Sequence, residues 1–188
     1  RLALDGDAVD TDQPAVARRL AEEGTLARAV AAGKGIVGIG AGYEILGRSF
    51  DPPAGARTEG LGLLDVRTTL GEHVDNRVVT KPAPQLGLPA LVGYEWHRGR
   101  TVLGPDAEPL AEVEVGVCNG GEPPTDGAVQ GRVLGTYLHG PLLARNPELA
   151  DLLLGWALGV ELEPLSSRFA DLARRERIAD GLARALDR

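Results

Sequence analysis

The 188-residue sequence predicts a single α/β domain: a mostly parallel central sheet flanked by helices, with some antiparallel strands. Three observations carry that reading. Gly35-Ile36-Val37-Gly38-Ile39 is a short, near-continuous apolar run that passes at once into a helical segment, the pattern of a strand buried on both faces of a parallel sheet. The middle of the chain is rich in Val, Leu and Thr and is cut by Gly/Pro turns, as strands are. The tail returns to apolar residues at helical spacing.

Taken in order, Leu2-Ala3-Leu4 running into Asp5-Gly6-Asp7 reads as the last half of a buried strand and a turn, with Arg1 an internal point of a longer domain. Pro14 suits the first turn of a helix. Val16, Leu20, Leu26 and Val30 keep helical spacing, with a break at Gly24, a restart capped by Thr25 and a left-handed stop at Gly33. After the buried strand, Gly40-Ala41-Gly42 makes a very tight turn into a helix through Tyr43 and Leu46. Leu61 to Thr69, Arg77 to Thr80, Leu91 to Val102 and Ala111 to Cys118 are predicted strands, and Asn119-Gly120 and Asp126-Gly127 are hairpin-type turn signals. Val133 to Leu138 is a further apolar strand ending at His139-Gly140-Pro141. Pro147 opens a helix through Leu152, Leu153 and Trp156, and a second, amphipathic helix carries Phe169, Leu172, Ile178, Leu182 and Leu186. No repeat or linker divides residues 1–188.

Composition narrows the function. A net charge of −7 argues against binding nucleic acid or an anionic membrane, which needs a basic face. One cysteine excludes an internal disulfide framework, and with three scattered histidines it leaves no Cys/His zinc site. The single cysteine makes a reducing cytosol the simplest location, and no apolar run approaches the ~20 residues that span a bilayer.

The strand–turn–helix over residues 35–47 is the most informative segment. Small residues on both sides of a sharp turn let the central side chain project from the top of a sheet, the geometry of a nucleophile elbow. Nucleophilic catalysis needs Ser, Cys or Thr at the apex, where this chain has Gly40, so a plain βα turn requiring glycine competes with the functional reading. His139, at a strand end beside a turn, is placed as a general base or as a half-buried imidazole bonded to a backbone carbonyl. Asp5-Gly6-Asp7 offers amide N–H groups to an anion or forms an Asx turn. His97 and Arg100 lie on a polar, aromatic strand as ligand contacts or as ordinary strand-face residues; His73 reads as solvated in a polar loop, and Cys118 as an unreactive thiol.

Three segments together resemble one family. Gly35-Ile36-Val37-Gly38-Ile39-Gly40-Ala41-Gly42-Tyr43-Glu44-Ile45-Leu46-Gly47 is similar to the nucleophile elbow of class I glutamine amidotransferases of the cobyric acid synthase (CobB/CobQ-like) type. Gly93-Tyr94-Glu95 through Gly99-Arg100-Thr101 resembles that group's mid-domain strand, and Gly131-Arg132-Val133-Leu134-Gly135-Thr136-Tyr137-Leu138-His139-Gly140-Pro141 its catalytic-histidine segment. Order and spacing fit over nearly all of residues 2–160, and within the group the likeness leans toward the glutaminase subunit of lipid II isoglutaminyl synthase.

The resemblance implies a Rossmann-like amidotransferase fold in which a Cys thiolate attacks the amide of glutamine, a His shuttles the proton and backbone amides hold the oxyanion, with no cofactor and no metal. It also implies a partner, a Mur-ligase-like synthetase subunit that uses ATP and the released ammonia to amidate the α-carboxylate of D-isoglutamate in the peptidoglycan stem. By position, His139 matches the catalytic His, Gly6 falls in the oxyanion loop, the Ala41 N–H is the second oxyanion donor, and Arg77 matches an Arg that holds the glutamine carboxylate. Two departures stand out: the nucleophile position is Gly40, and the Gln that usually follows the Gly-aromatic pair is Glu44. The expectation is therefore an inactive amidotransferase-like chain that lacks the family's first one or two βα units. Its role is either that of a disabled subunit or that of a natural scaffold for a ligase-like partner.

Overall fold

The structure, a computed structural model, describes residues 2–6, 12–162 and 168–186. The chain runs β1 (Leu2–Gly6), α1 (Gln13–Glu23), α2 (Thr25–Ala31), β2 (Ile36–Gly40), α3 (Ala41–Leu46), β3 (Ser49–Phe50), β4 (Thr58–Glu59) and β5 (Val66–Pro82). It continues through β6 (Leu91–Leu103), β7 (Ala111–Val115), β8 (Thr125–Asp126), β9 (Ala128–Gln130), β10 (Val133–Thr136), α4 (Leu142–Arg145), α5 (Pro147–Leu158) and α6 (Arg168–Leu186). The architecture is the mixed α/β one that the sequence predicts, with the strands sorted into two sheets.

The first sheet has the order β1-β2-β10-β9. Its first three strands are parallel and β9 joins β10 antiparallel. Helix α3 starts one residue after β2 ends, because Gly38 lets the two elements touch: a Cβ there would lie 2.7 Å from the Gly42 carbonyl oxygen. Ile36, Tyr43, Leu46, Leu134, Tyr137 and Leu138 are all buried around this contact and join the main core. Ala17 of α1 packs with Ile45 and Phe50 in a second, smaller cluster. Pro14 sits in the first turn of α1, which ends on left-handed Gly24.

The second sheet is built on the long β5–β6 hairpin, with β3, β4, β7 and β8 added on β5's other side. It departs from expectation in several places. The two strands expected at Leu61 to Thr69 and Arg77 to Thr80 are a single strand, β5, interrupted by an irregularity between Leu70 and Val74. The polar stretch 71–77 breaks the apolar alternation, and pairing with β6 resumes at Val74. Residues 61–64 form no strand; the amides of Leu61, Leu63 and Leu64 instead satisfy the carbonyls of Ile45 and Leu46 at the end of α3. Asp126-Gly127 is no hairpin turn: β8 pairs with β7 and β9 with β10, so the chain changes sheets at left-handed Gly127. Gly24, not Thr25, occupies the N-cap of α2. In α6, Phe169, Leu172 and Leu182 remain exposed, so the expected apolar face is only partly covered. Asp7 and the side chain of Leu186 lie outside the described residues.

Candidate functional site

Three predicted site residues meet at the C-terminal edge of the parallel sheet. Gly40 ends β2 with φ 55° and ψ −120°, a conformation that only glycine adopts without strain. That sharp strand-to-helix reversal, with Gly38 and Gly42 on either side, is the elbow geometry. Gly6 is the register partner of Gly40 across β1 and β2, and Ala41 opens α3 directly after it.

His139 reaches the same end of the sheet from the other neighbour of β2. Thr136 of β10 stands opposite Ile39, and the chain leaves β10 three residues before His139. The imidazole is buried. Its backbone N–H donates to the Tyr94 carbonyl at 2.8 Å, tying the site to β6. Its Nδ1 lies 2.8 Å from the Tyr137 carbonyl oxygen. A carbonyl only accepts, so Nδ1 carries a proton; in the neutral ring the lone pair is then on Nε2, the tautomer a general base needs.

Glu44, in the first turn of α3, is held by donors on both oxygens: Gln13 Nε2 at 2.7 Å and the Tyr137 hydroxyl at 3.1 Å. The Gln13 amide also reaches the Ala41 carbonyl at 3.5 Å. Position 44 is therefore built for an acceptor on each oxygen, which a carboxylate supplies and an amide supplies only on one. Arg77 pairs in register with Tyr94, and its guanidinium is taken by the carboxylate of Asp180 on α6. It stands one strand out from the residue that bonds His139.

Several residues prominent in sequence do other work. His97 is buried, stacked 3.7 Å from the Tyr137 ring and 3.1 Å from Glu95. Burial pushes its imidazole below the usual range, against the pull of Glu95. Burial raises the Glu95 carboxyl, yet His97 and the amides of Cys118 and Val117, at 2.6 and 2.7 Å, outweigh that and hold it low. Arg100 spends its guanidinium on the carbonyls of Gly99 and Glu72. His73 is exposed, but on β5 and edge-on to Trp96 rather than in a loop. Cys118 is fully buried; burial and the neighbouring Asp126 and Glu95 carboxylates push its thiol well above its ordinary pKa, which makes it inert.

Two important residues escaped the sequence reading. Tyr137, fully buried, joins Glu44 to Thr101, whose hydroxyl lies 2.8 Å away. Asp126, also fully buried, accepts from Thr136 Oγ1 at 2.5 Å and the Tyr137 amide at 3.0 Å, yet burial pushes its carboxyl up to about 6. The alternation of Glu95, His97, Gly99 and Thr101 on one buried face of β6 was the available signal. Among the described residues no group of His, Cys, Asp or Glu could hold a metal ion, and no helix is long and apolar enough to cross a membrane.

Comparison with known proteins agrees with this fold. The lipid II isoglutaminyl synthase (glutamine-hydrolyzing) subunit GatD of Staphylococcus aureus strain N315 is 35% identical over 166 residues, 85% of this chain and 65% of that protein. The cobyric acid synthase of Mycolicibacterium gilvum strain PYR-GCK is 37% identical over 171 residues, 88% of this chain and 31% of that protein. The chain thus spans less than two thirds of either relative. The solved PurLQS of Thermotoga maritima shares the fold, with a TM-score of 0.61 at 19% identity over 82% of this chain and 78% of the other. Residues 10–147 match the CobB/CobQ-like glutamine amidotransferase domain, and the chain belongs to that family.

Proposed function

We propose that this chain is the glutaminase-like half of an amide-forming pair of the kind named in its staphylococcal relative, and that it does not hydrolyse glutamine as it stands. The observation that carries this reading is the elbow itself: Gly40 holds the sharp reversal at the end of β2, beside Gly6 and Ala41, with His139 following the adjacent strand. With a thiol at position 40, the thiolate would attack the amide carbon of glutamine. Arg77 would hold the glutamine carboxylate, and the Gly6 and Ala41 amides would hold the oxyanion. His139 Nε2 would pass the thiol proton to the departing nitrogen, releasing ammonia and leaving an acyl-enzyme for water to cleave. Gly40 supplies no nucleophile, so the sequence of steps has no beginning; losing a nucleophile costs about 10⁶ in turnover in a comparable hydrolase.

The partner proposed is a cytosolic, Mur-ligase-like synthetase that amidates the peptidoglycan D-glutamate carboxylate. A second reading makes the chain a natural scaffold for such a ligase. The fit of Glu44 favours it, because Gln13 and Tyr137 place a donor on each of its oxygens. Co-expression with candidate Mur-ligase-like synthetases tests both readings. A stable heterodimer that releases no ammonia from glutamine is expected, and a chain that stays monomeric beside every such candidate would overturn the partnership.

A further inference from the structure

The β5–β6 hairpin has two unlike faces. Glu95, His97, Gly99 and Thr101 turn inward, whereas Trp96, Arg98, Arg100 and Val102 alternate with them on the outer side. Cross-strand register brings Asp75 beside Trp96, Thr69 beside Arg100 and Arg67 beside Val102 on that side. One end of this outer face is covered by α6. Asp180 takes the Arg77 guanidinium, and Gly181 lies so close that a Cβ there would meet the Val79 side chain at 2.9 Å. From Trp96 to Val102 the same face is open. Trp96 is 51% and Val102 70% exposed, and Arg67 and Arg98 are exposed with them. His73 stands edge-on to the Trp96 ring at 5.1 Å, which holds the indole in place.

The charge of this face runs against that of the chain. Arg67 and Arg98 join no ion pair among the described residues, and Arg100 bonds only the carbonyls of Gly99 and Glu72, which leave its charge uncancelled. These three arginines stand against Asp75 and Glu72, on a chain whose net charge is −7. A half-wet tryptophan flanked by uncancelled arginines is the composition of an interface centre, where Trp and Arg carry most of the binding energy.

We propose that this open face docks a protein partner through an acidic amphipathic helix, whose apolar side chains cover Trp96 and Val102 and whose carboxylates pair with Arg67 and Arg98. The covered end of the sheet supplies the precedent, since there a helix carboxylate takes a β5 arginine beside a close backbone approach. The rise from Trp96 to Val102 is about 20 Å, which a helix of about 13 residues spans. The proposal uses neither a thiol at position 40 nor a ligand on Arg77, so it stands apart from the glutaminase reading.

NMR titration of the unmodified, 15N-labelled chain tests it with three probes. The first is a synthetic helical peptide of about 13 residues with leucines along one face and glutamates on both sides of them. The second replaces each glutamate by lysine, and the third is a single-stranded oligothymidine. Saturable shifts are expected with the glutamate peptide alone, largest at the Trp96 indole N–H and the amides of residues 67–69 and 96–102. Arg67→Glu, Arg98→Glu and Trp96→Ala should each weaken binding by about tenfold or more, while Arg18→Glu on α1 should not. The spectrum of each variant shows whether it is folded. No saturable shift with the glutamate peptide, shifts centred elsewhere, a preference for oligothymidine, or equal affinities in the parent and the folded variants would overturn the proposal. Self-association of the parent that Arg98→Glu abolishes, read by sedimentation, would give the face to a second copy and overturn it too. The ammonia-release experiment on Gly40 is unaffected by any of these results.

Discussion

The hydroxyl of Tyr137 and the carboxylate of Glu44 meet at 3.1 Å, and the same hydroxyl lies 2.8 Å from Thr101 Oγ1. One phenol therefore joins the helix after the elbow to the second sheet. Tyr137→Phe keeps the ring's stacking on His97 but leaves Glu44 and Thr101 each short of a partner. The expected loss is about 1–3 kcal/mol of unfolding free energy, read by urea denaturation; an unchanged midpoint would show that the bridge carries no stability.

Gly38 sets how closely α3 lies on β2. A Cβ at this position would meet the Gly42 backbone at 2.7 Å and the Leu46 side chain at 2.6 Å. The backbone cannot yield cheaply, so Gly38→Ala should cost about 3 kcal/mol, the upper range for overpacking. Thermal unfolding measures it, and a variant as stable as the parent would mean that the elbow tolerates a looser fit.

Asp126 gives the chain a distinctive pH response. Its carboxyl is pushed up to about 6 by burial, whereas in the unfolded chain it titrates near ~4. Between these values the folded state holds more protons, so this group's contribution to stability falls as pH rises from about 4 through 6, by about 3 kcal/mol. His97 runs the other way: its imidazole is held low, so its contribution rises as pH climbs through the ordinary His range. The parent sums both effects, and the difference between parent and Asp126→Asn isolates the carboxylate. Urea unfolding at several pH values between 4.5 and 7.5 should show the variant gaining on the parent as pH rises. A constant offset would contradict the buried, proton-bearing Asp126.

The parts legible in sequence were those with local causes. Ile36 to Ile39 and the glycines at 38, 40 and 42 encode the buried strand and the elbow within a few residues, and Pro14, Gly24 and Pro147 mark helix boundaries through their own backbone preferences. The β5–β6 pairing over residues 74–77 was not legible, because β5 is polar there and its partners Glu95 and His97 on β6 are polar yet buried, so no apolar alternation marks the segment. The network of Glu44, Thr101, Asp126 and Tyr137 joins three distant stretches of the chain, around residues 44, 101 and 126–137, so no local pattern encodes it. His139 was legible as a candidate at a strand end, while the proton on its Nδ1 became readable only once the Tyr137 carbonyl stood beside it.

Ammonia release from L-glutamine, measured for the unmodified chain and for Gly40→Cys with and without Glu44→Gln, tests the account most directly. The cysteine must enter at φ 55°, so a stability loss of about 1–3 kcal/mol should accompany it. The unmodified chain should release none. The Gly40→Cys variants should release ammonia, with the ligase-like partner bound if needed, and adding His139→Gln should abolish it. Release by the unmodified chain would contradict the central claim, and so would silence in a folded, partner-bound Gly40→Cys/Glu44→Gln protein.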